Sequence, residues 1–237
     1  MISKEEKIEI RNKVAKPLLW VGIVSISMVF GGLTSGYVVV QGDAFWVQTA
    51  LPKLFWYSTA AIILSSVALV YSLQSARKNK QNHLKYGLVL TLVFGGAFAG
   101  LQYKAWGEMM NTGNFFKGNL ADLKGQRGVD YNILYRGQQM IFANGHYYAQ
   151  NDIELINPLD ERLNNSFNVS SGFKYVLSGL HLAHLAGGVI FLLVVISRAF
   201  SGRYATGNVL DIELCGIYWH FLDILWIYLF AFLLFIH

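Results

Sequence analysis

Five long apolar stretches dominate this chain, at residues 17–40, 53–74, 84–105, 173–199 and 209–236. A helix needs about 20 apolar residues to cross a hydrocarbon core about 30 Å thick, so each stretch is long enough for one crossing. Composition agrees: 54% of the 237 residues are hydrophobic and only 14% are charged, against the roughly 25% charged residues of a soluble domain. The expected fold is therefore an all-α integral membrane protein with five transmembrane helices. Residues 1–16 mix acids and bases, and no short apolar core with a small-residue cleavage site follows them. The first stretch is expected to stay in the mature chain.

Lysine and arginine placement sets an orientation. Lys4, Lys7, Arg11, Lys13 and Lys16 precede the first stretch, Arg77, Lys78, Lys80 and Lys85 follow the second, and Arg198 and Arg203 follow the fourth. The loop from Gln41 to Pro52 has no basic residue. The positive-inside rule then predicts a cytoplasmic N-terminus and, with an odd number of crossings, a periplasmic C-terminus at His237. The predicted division is a cytoplasmic tail over 1–16, helices one to three over 17–105, a long external insertion over 106–172 and helices four and five over 173–237. The net charge of +5 comes from the cytoplasmic rims, which suit an anionic leaflet and call for no nucleic acid.

The insertion carries turn chemistry at Asn111-Thr112-Gly113-Asn114, Arg136-Gly137, Asn144-Gly145 and Asn157-Pro158. Between these turns, Asn132–Tyr135, Gln139–Phe142 and His146–Tyr148 read as short strands of a small ribbon. His146 is expected on the surface. No convergent set of acids, bases or ligands marks the insertion as catalytic, so it reads as a cap or docking surface. The single cysteine, Cys215, excludes an internal disulfide and reads as a small buried hydrophobe.

Ionisable residues inside the last two stretches are the candidate site. Glu213, His220 and Asp223 fall on one face of the fifth helix, and His181 and His184 share a face of the fourth. At 1.5 Å per residue, Asp223 lies about 18 Å from the cytoplasmic end of its helix and His181 about 12 Å from the outer end of its own. In a core about 30 Å thick these depths coincide. Gly179, Gly187 and Gly188 would allow the two helices to approach closely. A hydrogen-bonded cluster of His181, His184, His220 and Asp223 is expected. It could be a structural lock that also meets lipid head groups or a neighbouring subunit, a haem site, a proton relay through Glu213, His220 and Asp223, or a metal site. A haem histidine prefers an apolar shell, whereas Asp223 lies one turn from His220, and zinc leaves Trp219 and Trp226 without a reason. The lock is the reading adopted.

Trp20, Trp46, Trp56, Trp106 and Tyr204 are expected in interfacial belts. Trp219 and Trp226 lie deeper, as packing residues or the walls of a lipid cleft. The pairs Gly31-Gly32 and Gly95-Gly96 are expected at close helix crossings. Snorkelling explains the rim bases Arg77, Lys78, Arg198 and Arg203 as well as phosphate binding does.

Glu213 followed by Tyr218-Trp219-His220-Phe221, Asp223 and Trp226 resembles the last-helix signature of subunit III of the haem–copper cytochrome oxidases. Gly179, His181, His184 and Gly187 or Gly188 resemble that family's Gly-Phe-His-Gly-x-His motif, with Leu180 in place of the Phe and Leu182 or Ala183 in place of the central Gly. Leu101-Gln102 is a weaker match, since Ala105-Trp106 stand where the family has Glu-Tyr. The insertion matches no part of it. The family commonly has seven helices, and five corresponds to its shorter bacterial form. Met28 stands where the family's first retained helix carries a glutamate.

The resemblance implies an accessory subunit in the bacterial inner membrane, with no haem, copper or chemistry of its own. Haem and copper would belong to catalytic subunit I and to subunit II, its partners; other respiratory complexes are the further partners the resemblance allows. The chain would hold phospholipid and support proton uptake by a complex that reduces dioxygen to water and pumps protons in aerobic respiration. A quinol oxidase or nitric oxide reductase complex is the related alternative. A stand-alone cytochrome or transporter is the alternative of another class, but a transporter should show broken helices or symmetric halves, and neither is visible.

Overall fold

In a computed structural model, which describes residues 4–43, 45–206 and 209–236, five helices are long and apolar enough to cross a membrane. They are α1 (Lys4–Asp43), α2 (Leu54–Arg77), α3 (Gln81–Asn111), α5 (Val169–Phe200) and α6 (Leu210–Phe235), with a five-residue helix α4 (Asp160–Asn164) between the third and the fourth crossing. The chain is mostly helical and a multi-pass membrane protein. Large apolar side chains such as Val67 of α2, Val93 of α3 and Ile190 of α5 point outward, as they must where the surroundings are hydrocarbon. The segment expected as a tail is helical from Lys4, although the apolar crossing itself runs over Lys13–Gly42. His237 and Met1–Ser3 lie outside the described residues.

Helix ends follow local chemistry. Asn79 closes α2 in the left-handed region at φ 55°, with its N–H donating to Ala76 O and the Lys80 N–H to Ser75 O. That paired arrangement satisfies carbonyls at the helix end and turns the chain at once into α3. Gly113, at φ 83°, does the same for α3, through the Gly113 N–H to Met110 O and the Asn114 N–H to Met109 O.

Contacts divide the chain into two units. The first gathers residues up to Phe30, Trp56–Leu101 and Leu180–Tyr228. Its packing is built on small residues. Ser58, Ser65 and Ser72 recur every seven residues on α2; all are fully buried, and the last two lie in this unit against α3. Ser72 Oγ donates to Leu84 O at 2.9 Å and Ser65 Oγ to Thr91 O at 3.0 Å. At Gly87 a Cβ would come within 2.8 Å of the Ser72 Cβ, so the two backbones touch. This hydrogen-bonded small-residue seam is how helices associate when hydrocarbon offers no hydrophobic drive.

The second unit gathers Gly31–Phe55, Gln102–Gly179 and residues from Leu229 onward. It contains the strands: β1 (Phe45–Thr49), β2 (Tyr131–Tyr135), β3 (Gln138–Gln139), β4 (Ile141–Ala143) and β5 (His146–Tyr148). β1, β2 and β3 form one antiparallel sheet in that order, and β4 pairs with β5 in another. Residues in the left-handed region make both tight hairpins, Arg136-Gly137 between β2 and β3 and Asn144-Gly145 between β4 and β5. Phe45, Val47, Ile133, Met140, Leu159 and Leu163 form their apolar core.

Several expectations need correction. The loop after the first crossing is strand β1, whose Val47 faces Ile133. A lone five-residue strand with three apolar residues gives no sign of a partner more than eighty residues away. Trp46 and Tyr204 are buried, not interfacial. Trp46 packs edge-on against Tyr37, with centroids 4.6 Å apart. A Cβ at Gly31, Gly32 or Gly96 would meet nothing within 4 Å, so of the two glycine pairs only Gly95 marks a close crossing. Met28 is 73% exposed and points out of the bundle. His146, although on the surface, has its Nδ1 2.8 Å from Asp160 Oδ2.

At Gly95 an added Cβ would lie 2.8 Å from Trp219 Cζ2, inside any tolerable contact with a fully buried ring. Gly95→Ala is expected to destabilise the chain by about 1–3 kcal/mol, the cost of overpacking. Gly96→Ala, facing open space, should leave stability unchanged. Thermal unfolding of both variants in detergent checks the contrast.

Candidate functional site

The polar and aromatic residues of α5 and α6 lie in the first unit, and they separate into distinct places. At the start of α6, Glu213 accepts from Lys16 Nζ at 2.7 Å and from Arg77 Nη2 at 2.9 Å. One carboxylate thus ties α1, α2 and α6 together, in the first turn of a helix where negative charge is favoured. Nearby, Arg198 Nη1 donates to Asp211 Oδ2 at 2.7 Å and joins α5 to α6. The Tyr204 phenol is buried at this turn, and burial first, then the neighbouring Asp211, pushes its pKa up to about 12. Glu213 precedes His220 by seven residues, about 10 Å along the axis, and its partners are surface bases. It is not a member of the deeper group.

His220 and Asp223 are that deeper group. His220 Nδ1 is hydrogen-bonded to Ser66 Oγ of α2. Asp223 is 4% exposed, with Oδ2 3.9 Å from His220 Nδ1. That separation is beyond hydrogen-bond reach. Among the described residues neither Asp223 carboxylate oxygen has a hydrogen-bond partner. Ser66 serves His220, from a helix that the spacing of motifs on α5 and α6 gave no reason to include.

The histidines of α5 do not join them. His181 is fully buried, with its ring 5.1 Å from Trp226 and 5.7 Å from Phe98, and neither ring nitrogen has a hydrogen-bond partner. His184 turns back on its own helix: its Nδ1–H donates to Leu180 O at 2.8 Å, and Tyr218 of α6 donates to the His184 carbonyl at 3.1 Å. The expected four-residue hydrogen-bonded cluster does not form: Ser66 bonds His220 with Asp223 beside it, aromatic rings enclose His181, and His184 bonds its own helix.

The two deep tryptophans reach the same helix pair. Trp219 Nε1–H donates to Ser65 Oγ at 3.1 Å, and Trp226 Nε1–H to Thr59 Oγ1 at 3.0 Å. Gly95 of α3 leaves room for the Trp219 ring, and a Cβ on Gly188 of α5 would lie 3.5 Å from it. Gly188 therefore serves the expected α5–α6 approach, and Gly179 lies beside Trp106 of α3. Cys215 is buried. Among the described residues, no group of three or more His, Cys, Asp or Glu is arranged to hold a metal ion.

A family model described as cytochrome c oxidase subunit III matches residues 150–237, which include every one of these α5 and α6 residues. Over residues 150–237 the chain is similar to the subunit III family of the haem–copper oxidases. A protein of Rickettsia bellii named probable cytochrome c oxidase subunit 3 is 43% identical over 60 residues, covering 24% of this chain and 22% of that relative. The match thus spans about a fifth of the Rickettsia protein's length. Two others align almost throughout: a probable quinol oxidase subunit 3 of Staphylococcus haemolyticus, 22% identical over 90% of this chain and 84% of its own, and a cytochrome c oxidase subunit 3 of Thermostichus vulcanus, 23% identical over 91% and 84%. Likeness is concentrated where the family signature lies and thin elsewhere.

In the family's frame, the sequence pointed to His181, His184, Trp219, His220, Asp223 and Trp226 but missed Thr59, Ser65, Ser66 and Gly95. The seven-residue serine repeat on α2 was the signal that could have found that face. Glu213's ties predict a salt-sensitive contribution. Glu213→Gln should lower stability in detergent by about 1 kcal/mol at low ionic strength, and Lys16→Gln should add little in that background. A double-mutant cycle with and without 1 M salt measures the coupling, which should fade as salt rises.

Proposed function

We propose that this chain is the accessory subunit III of a bacterial haem–copper terminal oxidase, packed against catalytic subunit I and against subunit II. The observation that carries this reading is the use made of the signature residues. Trp219, Trp226 and His220 all spend their polar groups on α2, through Ser65, Thr59 and Ser66. They hold helices together, the use expected of a structural subunit. Asp223, His181 and His184 act as parts of this lock and, with Trp219 and Trp226, as walls near bound phospholipid. Haem and copper reside in the partner subunits. The chain supports proton uptake and the lifetime of a complex that reduces dioxygen to water and pumps protons.

In this reading the protein lies in the inner membrane with its N-terminus cytoplasmic and its C-terminus periplasmic. The basic rims at Lys16, Arg77 and Arg198 face the cytoplasm, and residues 106–172 form an external cap. A second reading, subunit III of a quinol oxidase, is favoured by the near-full-length likeness to the Staphylococcus haemolyticus protein. The two differ in electron donor, which other subunits bind.

Purification from its own membranes through a tag on this chain tests the proposal. A large haem- and copper-bearing chain should co-purify, and oxidation of cytochrome c or of a quinol by that preparation assigns the donor. A Soret band stoichiometric with this chain alone, and no haem–copper partner, would contradict it.

A further inference from the structure

The second unit holds a cavity of about 490 Å³ that no part of the proposed accessory role uses. Its walls are the end of β1 and the following turn, the end of α3, the loop before β2, and Lys174 of α5. Leu51, Pro52, Met109, Leu123 and Tyr131 make much of the lining apolar. The volume lies within the roughly 300–1,000 Å³ of small-molecule sites.

Lys174 is 2% exposed, yet it lines this cavity. Its Nζ donates to Thr49 Oγ1 at 2.6 Å. An ammonium carries three donors, and among the described residues no carboxylate lies within 4 Å of this one. Burying a charge without a counter-charge is expensive, and the cost falls when an anion with hydrogen-bond acceptors comes to it. The acids at the cavity do not supply one. Glu108 is exposed, and Asp130 Oδ2 is already accepting from the Gln126 N–H at 2.7 Å.

Serine hydroxyls on either side of the lysine in α5 bond backbone carbonyls. Ser178 Oγ donates to the Lys174 carbonyl at 2.6 Å, and Ser170 Oγ donates to Val47 O of β1 at 2.6 Å. Gly113 and Gly125, both in the left-handed region, fold the opposite wall tightly: a Cβ on Gly113 would meet Asp122 O at 2.1 Å. The cavity is therefore a shaped recess with one buried cation at its base.

We propose that this recess binds a small amphiphile whose head is a singly charged oxyanion and whose body is apolar. The head bonds to Lys174 Nζ beside Thr49, and the body lies along Leu51, Met109 and Leu123. Of the two lysines in the lining Lys124 is exposed and Lys174 buried, so the single buried cation matches one negative charge, and the apolar walls select against a bare, fully hydrated ion.

Photolabelling of the full chain in its purified complex tests this, with a diazirine-bearing octanoate as probe and peptide mass spectrometry to locate the label. Label should fall on residues 49–52, 108–114 or 123–131 and saturate, and unlabelled octanoate should displace it. Lys174→Met should reduce it at least tenfold. Ala50→Trp, which fills the mouth from an exposed position, should do the same while leaving Lys174 in place, so a folding defect in the first variant cannot mimic the result. Inorganic phosphate should compete at least tenfold less well than octanoate. Unsaturable label, label unchanged in both variants, or equal competition by phosphate would overturn the assignment.

Discussion

The Trp219 indole is the contact on which the helical unit depends. It is fully buried, lies against Gly95 of α3, and spends its N–H on Ser65 of α2. In a hydrocarbon solvent the apolar faces of helices gain nothing by meeting each other. Specific packing and hydrogen bonds must choose the arrangement instead. A large ring set into a groove of glycine and serine does both at once. One residue further along α6, His220 bonds Ser66, and two turns beyond Trp219, Trp226 bonds Thr59, so α6 is keyed to α2 at three side chains.

That keying explains why ionisable residues are tolerated in α6. Three of them are placed where another helix supplies a small polar group or an opposite charge: Ser66 for His220, Lys16 and Arg77 for Glu213, Arg198 for Asp211. Such individual bonds contribute only about 0.6 kcal/mol on average in membranes. The value of the set lies in specifying one packing among many.

The five crossings were legible because apolar length is a strong signal, and the hairpin turns because Arg136-Gly137 and Asn144-Gly145 have backbone needs written in their residue types. The signature on α5 and α6 gave the family. What the sequence did not reveal is pairing across distance. Glu213, read as part of a relay by its spacing from His220, is held by bases on two other helices. β1 was invisible because its partner Tyr131–Tyr135 is remote. Gly31 and Gly32 look like Gly95 in the sequence, yet only Gly95 faces a ring, since a glycine's neighbour decides its use. His181 and His184 share a face with each other but find different surroundings, one aromatic and one its own backbone.

The central claim, that the buried polar residues lock the bundle and do not carry protons as an obligatory path, is tested most directly by Asp223→Asn in the assembled oxidase. Oxygen consumption should start near the normal rate and then decay faster than in the unaltered complex, with this chain more easily lost in detergent. Full assembly and retention together with abolished initial turnover would contradict the account.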